Sequence, residues 1–115
     1  MSDSQIHLPP SFVAVHTPPG RLRPLMGWAE LVQRHECCED MAQMLVEPAA
    51  QILVRLGIAE HDVLNKVWVG LSDGEVRLSE AEGRWVVCRL AELLQWPVPA
   101  GIADGVPVNG EASRG

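Results

Sequence analysis

Trp28 to Leu56 runs WAELVQRHECCEDMAQMLVEPAAQILVRL. At 100° per residue, with Trp28 at zero, Leu31, His35, Cys38, Ala42, Val46, Ala49, Leu53 and Leu56 fall within about 45° of one line. The opposite side carries Glu36, Asp40, Gln43, Glu47, Gln51 and Arg55. One apolar stripe and one polar side predict an amphipathic helix over 28–56, with Gly57 as its stop. Pro48 removes a bond to the Met44 carbonyl, so the pattern predicts a kink there, or two helices meeting.

Outward toward the C-terminus, residues 60–70 read as a second helix with Val63, Leu64, Val67, Trp68 and Leu71 on its apolar side. A short hairpin about Ser72-Asp73-Gly74 is the competing reading of residues 68–78. The stretch from Gly70 to Gly74 reads as a plain connection rather than an active-site loop. Ser79-Glu80-Ala81-Glu82 is a capping box, which starts a third helix. Its stripe is Val86, Val87, Leu90, Leu93 and Leu94, and Pro97 ends it. Residues 98–115 hold Gly, Pro, Asn and Ser and read as a flexible tail.

Outward toward the N-terminus, residues 1–24 contain Pro9, Pro10, Pro18, Pro19 and Pro24. Proline disfavours a helical residue before it, so this arm is expected to be extended. Phe12, Val13 and Val15 are expected to form a short edge strand. The whole predicts an all-α fold of three to four helices over 25–97, between a proline-rich arm (1–24) and a loose tail (98–115).

The chain has 115 residues, 47% hydrophobic and 21% charged, with a net charge of −6. That length suits one domain. No run of 18 apolar residues exists, which argues against a membrane span. The charge is uneven: residues 1–27 are slightly basic through Arg21 and Arg23, whereas 28–96 hold twice as many acidic as basic groups. An acidic body repels a phosphate backbone, which argues against nucleic acid. The opening Met1-Ser2-Asp3-Ser4 lacks a basic and apolar signal pattern. Three cysteines, Cys37, Cys38 and Cys88, make no disulfide framework. Both features point to the reducing cytoplasm.

Residue content removes several chemistries. A phosphate-binding P-loop needs a lysine followed by Ser or Thr, but the single lysine, Lys66, precedes Val67. No HExxH, paired CxxC, GxGxxG or GxSxG pattern occurs. No cofactor is implied.

Three groups remain as candidates. His35, Cys38 and Glu39 stand at i, i+3 and i+4, and zinc accepts all three ligand types. The competing reading, that His35 and Cys38 fill the core stripe, carries more weight because no second ligand pair is evident. Glu36, Asp40 and Glu47 form an acidic ridge, read as a solvated face or a dock for a basic partner. Trp85, Arg89 and Trp96 stand at i, i+4 and i+11 on the side away from Leu90 and Leu94, within about 40° of one another. Arg between indoles suits a protein interface. The proline-rich arm is the alternative cover.

Ile6 through Phe12 with Pro9-Pro10-Ser11, Pro19-Gly20-Arg21, Cys38 to Gln43, Leu56-Gly57, Asp62-Val63-Leu64, Ser79 to Glu82, Trp85-Val86 and Arg89 to Leu94 carry a resemblance. Across about residues 4–96 the chain resembles a family of short bacterial proteins that often bear the description "ATPase with chaperone activity". The resemblance implies a small helical build and no site residue. Together these readings favour a non-enzymatic interaction or adaptor protein, a homodimer or an accessory to a chaperone system. The alternative is a small metal- or thiol-dependent enzyme using His35, Cys38 and Glu39.

Overall fold

The computed structural model describes residues 8–74 and 77–103. Its helices are α1 (Pro10–Val15), α2 (Trp28–Leu56), α3 (Glu60–Ser72), α4 (Glu80–Leu94) and the single turn α5 (Ala100–Ala103). No strand occurs among the described residues. The fold is an all-α bundle.

Helix α2 forms as its stripe predicts: Leu31, Cys38, Ala42 and Ala49 are buried. Trp28 and Leu56, at the two ends of the stripe, lie outside the packed region and stay exposed. The helix is continuous over 29 residues with Pro48 inside it, so the expectation of two helices is corrected. Pro48 is exposed. The neighbouring turns hold the segment helical because Ala49 and Val46 pack into the core on the opposite side. Gly57 takes the left-handed conformation (φ +62°), and its N–H reaches the Leu53 carbonyl at 3.0 Å.

Helix α3 extends to Ser72, so residues 68–71 are helical and not the first strand of a hairpin. Val63 and Leu64 are buried in the core. The capping box of α4 is present in both directions: Ser79 Oγ accepts from Glu82 N, and Glu82 Oε1 accepts from Ser79 N, each at 3.0 Å. The helix ends two residues before Trp96. Gln95 is left-handed (φ +62°), its N–H bonds the Glu92 carbonyl, and Trp96 N–H bonds the Ala91 carbonyl. This is a Schellman ending without its usual glycine.

Helix α4 packs against each of the other four helices. Its buried residues, Glu82, Gly83, Trp85, Val86, Val87, Leu90 and Ala91, spread over about two thirds of its circumference rather than along one stripe. Glu92 and Gln95 stay exposed on the remaining side, and so wide a buried face makes α4 the centre of the bundle. Two apolar groups meet on it. Phe12, Leu31, Cys38, Ala42, Trp85 and Val86 form one, under α1. Ala49, Val63, Leu64, Val87, Leu90, Ala91 and Ile102 form the other, between α2, α3 and α5.

Two expectations about the chain ends are corrected. Residues 10–15 are helical, not an edge strand in an extended arm. Pro10 opens this helix, where its missing N–H costs nothing, and Phe12 is wholly buried. Residues 98–103 are packed rather than loose. Val98 and Ile102 lie against the second apolar group, and Arg84 Nη1 bonds the Gly101 and Ile102 carbonyls at 2.9 and 3.3 Å. The packed body therefore reaches from Leu8 to Ile102, beyond the expected 25–97. Residues 1–7 of the arm and 104–115 of the tail lie outside the described residues. No described helix is long and apolar enough to cross a membrane.

Candidate functional site

Two of the candidate residues, His35 and Trp85, meet where α1, α2 and α4 come together. Trp85, on α4, is only 4% exposed. Its Nε1 donates to Ser11 Oγ at 3.0 Å, and its ring stands edge-on to Phe12 at 5.2 Å between centroids. His35 of α2 completes the cluster, 5.3 Å from Phe12 and 5.5 Å from Trp85, both in edge arrangements. The arm thus covers Trp85 from within the same chain. Of the two covers that the sequence left open, the intramolecular one is present.

The trio of Trp85, Arg89 and Trp96 does not form one face. Trp85 belongs to the apolar group under α1, while Trp96 packs on the other. The left-handed turn at Gln95 takes Trp96 out of helical phase. Arg89 lies between them but is committed elsewhere: Nε and Nη2 donate to the two oxygens of Glu39 at 2.9 and 3.2 Å, and Nη1 donates to Glu92 at 2.8 Å. It clasps α4 to α2.

The proposed zinc ligands are each engaged. His35 stacks among rings, and burial, the largest influence, lowers its pKa from the ordinary 6.5. Cys38 has no exposure, and burial pushes its thiol up to about 12. Glu39 accepts from Arg89 and also from Gln43 Nε2 at 2.8 Å. The Arg89 hydrogen bonds hold its carboxyl below the usual range. Among the described residues, no group of three His, Cys, Asp or Glu side chains is arranged to hold a metal ion. The ridge residues Glu36, Asp40 and Glu47 are all exposed on the outer side of α2.

The polar centre of the molecule is Glu82, which sequence reasoning placed only in a helix cap. The residue is 2% exposed. Oε1 accepts from Arg34 Nη2 at 2.6 Å and from Ser79 N at 3.0 Å. Oε2 accepts from Arg34 Nε at 3.0 Å and His16 Nε2 at 2.9 Å. Arg34 Nη2 also bonds the Arg77 carbonyl. A carboxylate has about four lone-pair sites, and all are used. Burial alone favours the neutral acid. The hydrogen bonds from Arg34 and Ser79, with the charges of Arg34 and His16, outweigh it, so the pKa falls below the ordinary 4.5. The partners lie 48 and 66 residues away in sequence, so no local pattern announces them. A saturated carboxylate locks α1, α2 and α4 together and has no lone pair left for a substrate proton.

The groups that remain open are on the surface. Leu22, Leu25, Trp28, Met44, Val54, Leu56 and Val69 are large apolar side chains exposed to solvent. Leu22 and Leu25 lie in the connection from α1 to α2, and Trp28 is the first residue of α2. No family model, no curated protein and no solved structure matches the chain.

Proposed function

We propose that this chain is a non-enzymatic interaction module that works in the cytoplasm by presenting an apolar surface to a protein partner. The observation that carries the reading is a contrast. The arginines and carboxylates that join α2 to α4 pair with one another, whereas Leu22 and Leu25 in the connection before α2, and Trp28 at its start, are exposed. Exposed clusters of large apolar groups mark interaction sites. The free thiols of Cys37, Cys38 and Cys88 suit a reducing compartment. A role as accessory to a chaperone system belongs to this reading; it draws on the resemblance of residues 4–96 and on nothing in the geometry.

The test is affinity capture from the native cell at endogenous expression, with the full chain and with a Leu22→Ser, Leu25→Ser, Trp28→Ser variant. The reading expects a partner held by the first and lost by the second. Equal capture by both, or an empty result with the unaltered chain, overturns it.

A further inference from the structure

Trp68 of α3 lies against α4 at Gly83. A Cβ at that glycine would come to 3.0 Å from Cζ3 of the indole, so the missing side chain lets the ring settle this close without a shift. Around the ring, Leu71 of α3, Leu78 before α4, and Ser79, Glu80 and Gly83 bound a cleft of about 270 Å³. Arg84 ties this cleft to the end of the described chain. Its guanidinium carbon lies over the Trp68 ring, 5.1 Å from the centroid. Nη2 donates at 2.8 Å to Oε2 of Glu80, a residue of the cleft wall. Nη1 donates to the Gly101 carbonyl at 2.9 Å and to the Ile102 carbonyl at 3.3 Å. Through that one planar group, the Ile102 carbonyl stands no more than about 10 Å from the indole.

We infer that Val106-Pro107-Val108 of the same chain occupies this cleft, with Pro107 on the Trp68 ring. After Ala103 the sequence continues Asp104-Gly105-Val106-Pro107-Val108, its last apolar run. An extended chain advances about 3.3 Å per residue, so Val106 and Pro107 reach the ring from Ile102 with length to spare. Proline presets an extended backbone, and aromatic-lined grooves take such segments at low entropic cost. The tether selects the occupant. A link of a few residues holds its segment at an effective concentration on the order of millimolar, so the chain's own segment fills the cleft ahead of a free peptide of the same chemistry. Arg84 fixes both sides of the contact: the ring, and the carbonyls from which the segment sets out. The contact uses none of Leu22, Leu25 and Trp28, so it stands or falls apart from the proposed partner surface.

Nuclear Overhauser spectra of the full chain, at low and at high protein concentration, test it. Contacts from the Pro107 ring protons and the Val106 and Val108 methyls to the Trp68 indole are expected, equal at both concentrations. In the full chain carrying Val106→Ser, Pro107→Ser and Val108→Ser, the Trp68 indole N–H signal is expected to move while those of Trp28 and Trp85 stay in place. In Trp68→Leu, the Val106 and Val108 methyl signals are expected to move to the positions of an unfolded chain, with an unmoved Trp85 signal reporting that the body is still folded. Absent contacts, or a Trp68 signal that the triple variant leaves in place, overturn the inference. Contacts seen only between a labelled and an unlabelled copy seat the segment on a neighbouring molecule and overturn it. So do contacts to the ring from Val76 in place of Val106, Pro107 and Val108, which assign the cleft to the connection before α4.

Discussion

Arg34 on α2 holds Glu82 on α4 through both ends of its guanidinium fork, Nε to Oε2 at 3.0 Å and Nη2 to Oε1 at 2.6 Å. The carboxylate is buried, while the arginine keeps part of its side chain in water. That asymmetry makes the arginine the more informative residue to remove. Arg34→Met leaves a buried charge with only His16 and a backbone N–H. Breaking one side of such a pair costs about 3–5 kcal/mol in buried sites. The exposure of Arg34 puts the expected value toward the lower end, about 3 kcal/mol by urea denaturation. A loss below about 1 kcal/mol is incompatible with a locking role for the pair.

Acid is expected to cost stability first through His35 and then through Glu82 and Glu39. Burial lowers the His35 pKa from 6.5, so its contribution is full above about pH 6.5 and is lost as pH falls through the lower folded value. Glu82 and Glu39 are both held below 4.5. Their contribution is full above that pH and is lost as pH falls through their folded values. All three act in the same direction, each with a slope of at most about 1.4 kcal/mol per pH unit. Melting temperature measured from pH 8 to pH 3 checks this. His35→Gln should flatten the upper window and leave the lower one.

Phe12→Ala should cost about 3–5 kcal/mol, as for a large aromatic removed from a core. The same change uncovers Trp85, so tryptophan emission should shift to the red in the folded state. A variant with unaltered stability and emission contradicts the docking of α1.

The left-handed Gln95 is strained by about 1 kcal/mol relative to glycine. Gln95→Gly should therefore stabilise the protein by roughly 0.5–1 kcal/mol, read as a rise in melting temperature. The bonds from the Gln95 and Trp96 N–H groups are kept, since both are main-chain.

Burial raises the thiols of Cys38 and Cys88 to about 12 and about 11. At pH 8 their thiolate fractions are on the order of 0.0001 and 0.001. Iodoacetamide should label Cys37, which is half-exposed, well before either. Mass spectrometry of the labelled peptides decides it, and rapid labelling of Cys38 would revive a thiol-based activity.

The helices were legible because period 3.6 and local caps are written within a few residues. The stripe from Leu31 to Ala49, the Gly57 stop and the Ser79/Glu82 box all appear as read. Pro48 does not divide α2 into two helices, because burial of Ala49 and Val46 outweighs its local propensity. The arm misled for the same reason. Its prolines spoke against a helix, but Pro10 sits where proline is tolerated, and the pull on Phe12 comes from His35 and Trp85. The site was less legible still. The spacing of Trp85, Arg89 and Trp96 leaves a partner surface and cover by the arm both open; the structure seats Trp85 against α1 and pairs Arg89 with Glu39 of α2. Glu82 passed as a cap because helical spacing cannot show an arginine 48 residues upstream.

Both the first and the last described helices rest on α4. Neither end of the described residues is therefore dispensable. Trimming before Phe12 opens one half of the interior, and trimming before Ile102 opens the other. The smallest self-sufficient unit is therefore nearly the whole described chain. A fusion partner or label belongs outside residues 8–103, since the Arg77 carbonyl and the Ser79 N–H make even the connection between α3 and α4 part of the clasp.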